Sequence, residues 1–174
     1  EGVEKVFVGS GLRYDLPLSD TEHGEEYLKE LVEYHISGQL KVAPEHTQAE
    51  VLARMRKPNT KKLLEFKERF EAMNKMVGKK QFLSYYLIAA YPGCSLGDMQ
   101  AMKRFASQEL DVLPEQVQVF TPTPSTYASV MYTTEKDPFT GEKLFVEKNP
   151  AAKKRQKETI TGRSKPPRRH LRKG

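Results

Sequence analysis

The sequence predicts an α/β fold in which parallel strands alternate with helices as a sheet or barrel, and three observations predict it. Four short apolar stretches each run into a knot of polar or turn-forming residues: Val6–Val8 into Gly9-Ser10-Gly11-Leu12-Arg13-Tyr14-Asp15, Leu40–Ala43 into Pro44-Glu45-His46, Leu87–Ala90 into Tyr91-Pro92-Gly93-Cys94, and Val117–Phe120 into Thr121-Pro122-Thr123-Pro124. The three stretches between them carry apolar residues at helical spacing. The 174 residues suit one domain with an ordinary core. Folds built this way put their chemistry at the carboxyl ends of the strands, where the polar residues of this chain collect.

The first strand ends near Ser10. Asp20 or Ser19 can cap a helix through Tyr27, Leu28, Leu31, Val32 and His35, which Gly38 stops before the second strand. Thr47 is a natural N-cap for a helix over Ala49–Met55, with Glu50 three residues on to close a capping box. Pro58 and Asn59 break the chain, and a longer helix spans Lys61–Val77 with its stripe at Leu63, Leu64, Phe66, Phe70, Met73 and Val77, ended by Gly78. The third strand, Gln81–Ala90, is nearly unbroken in apolarity and should be buried on both faces. Leu96–Leu110 reads as the next helix, capped by Ser95. After the fourth strand, alternating Pro and Thr interrupt regular structure. A short helix around Tyr127–Tyr132, a turn at Asp137–Glu142 and a brief extended Lys143–Val146 follow. Residues 163–174, RSKPPRRHLRKG, are too polar and proline-rich to pack and read as a disordered basic tail.

Charge is divided unevenly. The net +6 arises from residues 148–174, which hold 11 Lys/Arg and one acid, while the body is mildly acidic. No apolar run reaches membrane-spanning length and no signal-peptide pattern opens the chain. The one cysteine, Cys94, excludes an internal disulfide and suits a reducing compartment, so the expected location is cytoplasmic. Glu1 stands where an initiator Met would, with a strand expected a few residues later, as in a piece of a longer protein.

Each strand end offers a candidate group. Ser10 and Arg13 join a hydroxyl to a planar fork that can hold a carboxylate by two hydrogen bonds; a turn with a surface Arg13–Asp15 pair is the structural alternative. Glu45 and His46 put a carboxylate beside an imidazole, suited to proton transfer or a metal, although adjacent residues point apart and one such pair is not a metal motif. Tyr91, Pro92 and Gly93 let the backbone approach a planar group on which Tyr91 can stack, or form an ordinary strand-to-helix turn. Cys94 has no His partner nearby in sequence and reads as an inert thiol. Thr121 and Pro122 begin a fixed, irregular rim or connector.

Taken together, GSGLRYD, LKVAPEHT, FKERFEAMNKMVGKKQFLSYYLIAAYPGCSLGDM, PEQVQVFTPTPST and MYTTEKDPFTGEKLFVEKNP resemble, in that order, the carboxyl-terminal half of the YgiQ-type radical SAM proteins. The resemblance covers residues 3–158 and rests on five ordered blocks. The Leu87–Gly93 element also resembles a strand of the radical SAM methylthiotransferases. The resemblance implies that residues 1–120 are the later part of a partial (β/α) barrel, carrying about its last four strands. Residues 121–162 would then be a family-specific extension. It further implies a [4Fe–4S] cluster on a Cys-x-x-x-Cys-x-x-Cys loop, with S-adenosylmethionine (SAM) on the open iron. Ser10 and Arg13 would then meet the SAM carboxylate, Tyr91–Gly93 with Thr121 and Pro122 the adenine or ribose, and Glu45 and His46 SAM or substrate.

Three cysteines are needed for such a cluster, and this chain has one, outside the motif. The cluster loop and the strand that grips the SAM amino group would lie upstream of Glu1. Alone, the chain is expected to retain neither SAM nor cluster and to perform no radical chemistry. Its partner would be the missing amino-terminal half. An open barrel edge would also favour self-association. Two readings of other classes compete: a nucleic-acid-associated module using residues 148–174, and a metal hydrolase using Glu45 and His46.

Overall fold

Three parallel strands in the order β1-β2-β3 form the centre: β1 (Gln39–Glu45), β2 (Phe82–Ala89) and β3 (Val117–Val119). The computed structural model describes residues 2–112, 114 and 117–161. Helices α1 (Asp15–Ser19) and α2 (Gly24–Tyr34) precede β1, and α3 (Ala49–Met55) and α4 (Thr60–Met76) cross from β1 to β2. α5 (Leu96–Glu109) crosses to β3, and α6 (Tyr127–Thr134) and α7 (Pro150–Thr161) follow. This is the α/β partial barrel that the alternation predicts. The expected disordered tail, 163–174, lies outside the described residues.

A fourth parallel element is present only as a bridge. Leu12 pairs with Val42, its N–H donating to the Lys41 carbonyl at 2.8 Å. Val6–Val8, read as the first strand, stays outside the sheet. The Val8 N–H donates to the His35 carbonyl, and the His35 ring bonds the Val6 carbonyl at 2.8 Å. The end of α2 therefore holds this segment, and Val3, Val6 and Phe7 stand exposed.

The β1–β2 register runs from Gln39 opposite Phe82 to Val42 opposite Tyr85, then shifts before Glu45 meets Leu87. The shift falls at Pro44, which has no N–H for the ladder. Glu45 emerges in the left-handed region at φ 64°. In β2 the buried residues alternate: Tyr85, Leu87 and Ala89 are covered, and the intervening residues only half so. The expectation of burial on both faces fails, since only alternate residues of β2 are fully covered.

Leu63, Phe66 and Phe70 of α4 are fully buried with Leu28 and Val32 of α2 and Leu40 and Val42 of β1. Each such side chain contributes roughly 1.5–3 kcal/mol of burial. Asn59 caps α4, accepting from the Lys62 N–H, and Ser95 and Asp98 close a capping box on α5. The box expected at Thr47 and Glu50 does not form: the N-cap is Gln48, with no side-chain bond. Thr47 is buried against the core instead.

Two elements escape the periodicity argument. α1 is a single short turn, and Asp20 caps the following turn through the Glu22 and His23 N–H groups rather than starting α2. α7 lies within the basic 148–174 stretch, which is therefore not wholly a free tail. Its Gln156 and Ile160 are buried, and it packs on α5, β3 and β2. Lys153 of α7 donates to the Tyr132 hydroxyl at 3.0 Å, and Lys148 pairs with Glu135 at 2.6 Å.

Candidate functional site

All strands are parallel and the Leu12 bridge runs the same way, so their carboxyl ends share one edge of the sheet. Along it, in spatial order, follow Arg13, Glu45 with His46, Tyr91–Gly93, and Thr121 with Pro122. The order comes from strand pairing. Side-chain direction then divides the group.

Ser10 and Arg13 face a groove of about 490 Å³ whose apolar wall includes Leu12, Leu16, Pro17 and Tyr27. Arg13 grips Asp15 with both arms of its fork, Nε to Oδ1 at 3.1 Å and Nη2 to Oδ2. This hydrogen-bonded guanidinium holds the Asp15 carboxyl below the usual carboxylate range. Next to it, Lys57 Nζ lies 2.9 Å from Glu45 Oε1 and also reaches the Ala43 carbonyl. The half-buried Glu45 is thus a paired anion at the mouth, fixed at a bulge.

His46 turns the other way and is fully buried. Desolvation pushes its pKa down to about 4, against the weaker pull of Asp98. Its Nδ1 accepts from the Gln48 N–H at 3.0 Å, so the neutral ring carries its proton on Nε2, which lies 3.4 Å from Cys94 Sγ. Burial drives the Cys94 thiol up to about 12, with Asp98 adding to it. Gln156 completes this cluster: its Oε1 accepts the Ala90 N–H at 2.9 Å and its Nε2 donates to the Cys94 carbonyl at 3.2 Å.

The pair is therefore a neutral imidazole on a neutral thiol, locked by an amide, and not an activated nucleophile. Sequence proximity could not reveal it, because residues 46, 94 and 156 lie on three separate elements.

Tyr91 is nearly buried and lies edge-on to Phe120, with centroids 5.2 Å apart. Burial raises its pKa to about 12. Its ring is engaged by protein and not presented for a ligand to stack on. Gly93 has φ +85° and supports the Arg54 side chain, while its N–H donates to the Phe145 carbonyl at 2.7 Å. Thr121 and Pro122 are exposed. The structure thus leaves Ser10, Arg13, Glu45, Thr121 and Pro122 accessible, and withdraws His46, Tyr91 and Pro92 into the support beneath them. Among the described residues, no three His, Cys, Asp or Glu side chains converge as a metal-binding group. No described helix is long and apolar enough to cross a membrane.

Fold and edge together define a parallel α/β segment with a polar mouth at its strand ends. No family model matches the chain. It is 56% identical over 163 residues to a UPF0313 protein of Fusobacterium nucleatum subsp. nucleatum, covering 94% of this chain and 29% of that protein. A UPF0313 protein of Methanosarcina acetivorans is 47% identical over 163 residues, covering 94% of this chain and 21% of the relative. One of Thermotoga petrophila is 41% identical over 164 residues, covering 94% and 29%. The chain spans less than a third of the length of these relatives.

Proposed function

We propose that the chain is the carboxyl-terminal part of the barrel of a radical SAM protein, supplying strand ends to SAM and substrate and inactive without the upstream part. The observation that carries this reading is the shared carboxyl edge, with Ser10 and Arg13 at one end and Thr121 and Pro122 at the other. The far greater length of the relatives is consistent with further barrel elements upstream.

SAM fits the Ser10–Arg13 end. Asp15 already occupies the Arg13 fork as a ligand carboxylate would, and the neighbouring groove offers an apolar wall. Ser10 and Arg13 would hold the SAM carboxylate once Asp15 gives way. Lys57 would keep Glu45 in place at the mouth. When bound to a reduced cluster, SAM supplies a carbon radical that abstracts hydrogen. The cluster itself does not fit this chain. Its one thiol is buried, protonated and hydrogen-bonded to His46, so no step is assigned to a cluster here.

The test is the coding sequence upstream of Glu1 and the iron content of the longer product. An upstream Cys-x-x-x-Cys-x-x-Cys loop, with SAM-derived 5′-deoxyadenosine formed after anaerobic iron–sulfur reconstitution, is the expected result. A stop codon upstream, or a longer protein without that loop, removes the reading.

A further inference from the structure

We infer that the cleft between α3 and the segment 127–141 is an oxyanion subsite, taking a carboxylate or phosphate group of an organic ligand through Arg54 and Arg56. The cleft encloses about 400 Å³, within the ~300–1,000 Å³ range of small-molecule sites. Its one link to a strand end is Arg54, which lines the cleft and lies against Gly93 just after β2. The inference deepens the function proposed above, and rests on it only in calling the ligand a substrate.

Arg54 is set for this role by its surroundings. Its guanidinium lies against Gly93, where an added Cβ would come within 2.9 Å of Cδ and 3.0 Å of Nε and Nη1. Nη1 is buried and has no acceptor among the described residues. Nη2 reaches Glu50 only at 3.7 Å, and that carboxylate is largely exposed and able to swing away. Arg54 lines the cleft and its nearest carboxylate stands 3.7 Å from Nη2, so its charge is open to an incoming oxyanion.

Arg56 supplies the second cation. It occupies the left-handed C-cap of α3 at φ 54°, which turns its side chain towards the extension. Its guanidinium carbon stands 4.2 Å from the Phe139 ring centroid and 5.2 Å from that of Tyr127. No carboxylate pairs with it among the described residues. The two exposed rings meet edge to face at 4.8 Å, forming an apolar wall for the body of a ligand. Asp137, the other acid at the cleft, is committed: its Oδ1 accepts from the Phe139 and Thr140 N–H groups. Among the described residues Asp137 forms no ion pair with Arg54 or Arg56, and Glu50 approaches Arg54 only at 3.7 Å.

The test is a titration of this chain with inorganic phosphate and, separately, succinate, read from the ¹H–¹⁵N side-chain resonances of its arginines. Saturable shifts confined to Arg54 and Arg56 are expected with at least one of the two anions. The tighter anion identifies the group that the site takes. Arg54→Gln and Arg56→Gln should each weaken binding at least about tenfold, the loss of one charge-assisted pair. Arg155→Gln should leave it unchanged. Arg56→Lys, which keeps the charge and the fold but loses the fork, should weaken binding less than Arg56→Gln. Linear, unsaturating shifts with both anions would overturn the inference, as would saturable binding that survives both Gln variants. Neither anion needs SAM or the upstream sequence, so failure here is separable from failure of the radical SAM reading.

Discussion

Gln156 holds Ala90 across the molecule: its buried Oε1 accepts the Ala90 N–H at 2.9 Å, while Ala90 itself sits in the left-handed region at φ 58°. A helix from the basic end of the chain thereby fixes the turn that carries Tyr91, Pro92 and Gly93. Gln156→Leu should lose both hydrogen bonds and leave the Ala90 N–H buried without a partner, costing about 1–3 kcal/mol. Urea denaturation measures this, and removal of residues 150–174 should cost more, since Ile160 leaves the core as well.

Cys94 should resist modification. With its thiol pushed up to about 12 and no exposure, it should react with a disulfide reagent at pH 8 only as fast as the protein opens. Denaturant should raise the rate to that of a free thiol. Rapid labelling of the folded chain would contradict the buried thiol–imidazole pair.

Stability should fall on mild acidification. The folded pKa of His46 is depressed from 6.5 to about 4, so the unfolded chain binds the proton first. The contribution is complete above pH 6.5 and is lost as pH falls towards 4, reaching about 3 kcal/mol there. His46→Gln should flatten the stability curve between pH 6.5 and 5.

Gly24 and Gly97 should answer oppositely to alanine. A Cβ at Gly24 would collide with the backbone carbonyl of Pro17, so Gly24→Ala should cost about 1–3 kcal/mol. At Gly97 in α5 the Cβ would meet only Ser95 Oγ at 3.5 Å, and alanine should stabilise by up to about 1 kcal/mol. Thermal melts of the two variants check the contrast.

The exposed Val3, Val6 and Phe7 should drive self-association of this chain. Sedimentation velocity should show oligomers that a Val6→Asp, Phe7→Asp double variant converts to monomer. A monomeric parent chain would count against the open-edge expectation.

Much of this architecture could be read along the chain. The Leu63, Phe66, Phe70 and Met73 stripe gave α4, Ser95 gave the start of α5, and the Leu40 and Leu87 stretches gave β1 and β2. Asp137 marked the turn before Gly141. The reverse held at Val6–Val8, where strand-like residues bond to the end of α2 and it is Leu12 that meets the edge of β1. α7 was hidden because its polar residues mask a narrow buried line of only Gln156 and Ile160.

The sequence by itself determined the alternation of strands and helices, and hence that polar strand ends gather on one edge, because local periodicity and parallel connection suffice for both. Only the tertiary structure decided which of those polar groups face outward. His46 joins Cys94 and Gln156 in the core while Arg13 and Glu45 stay at the mouth. Side-chain direction at a bulge such as Pro44–Glu45 depends on register, and desolvation depends on distant elements such as α7. Neither quantity is written in any short stretch of residues.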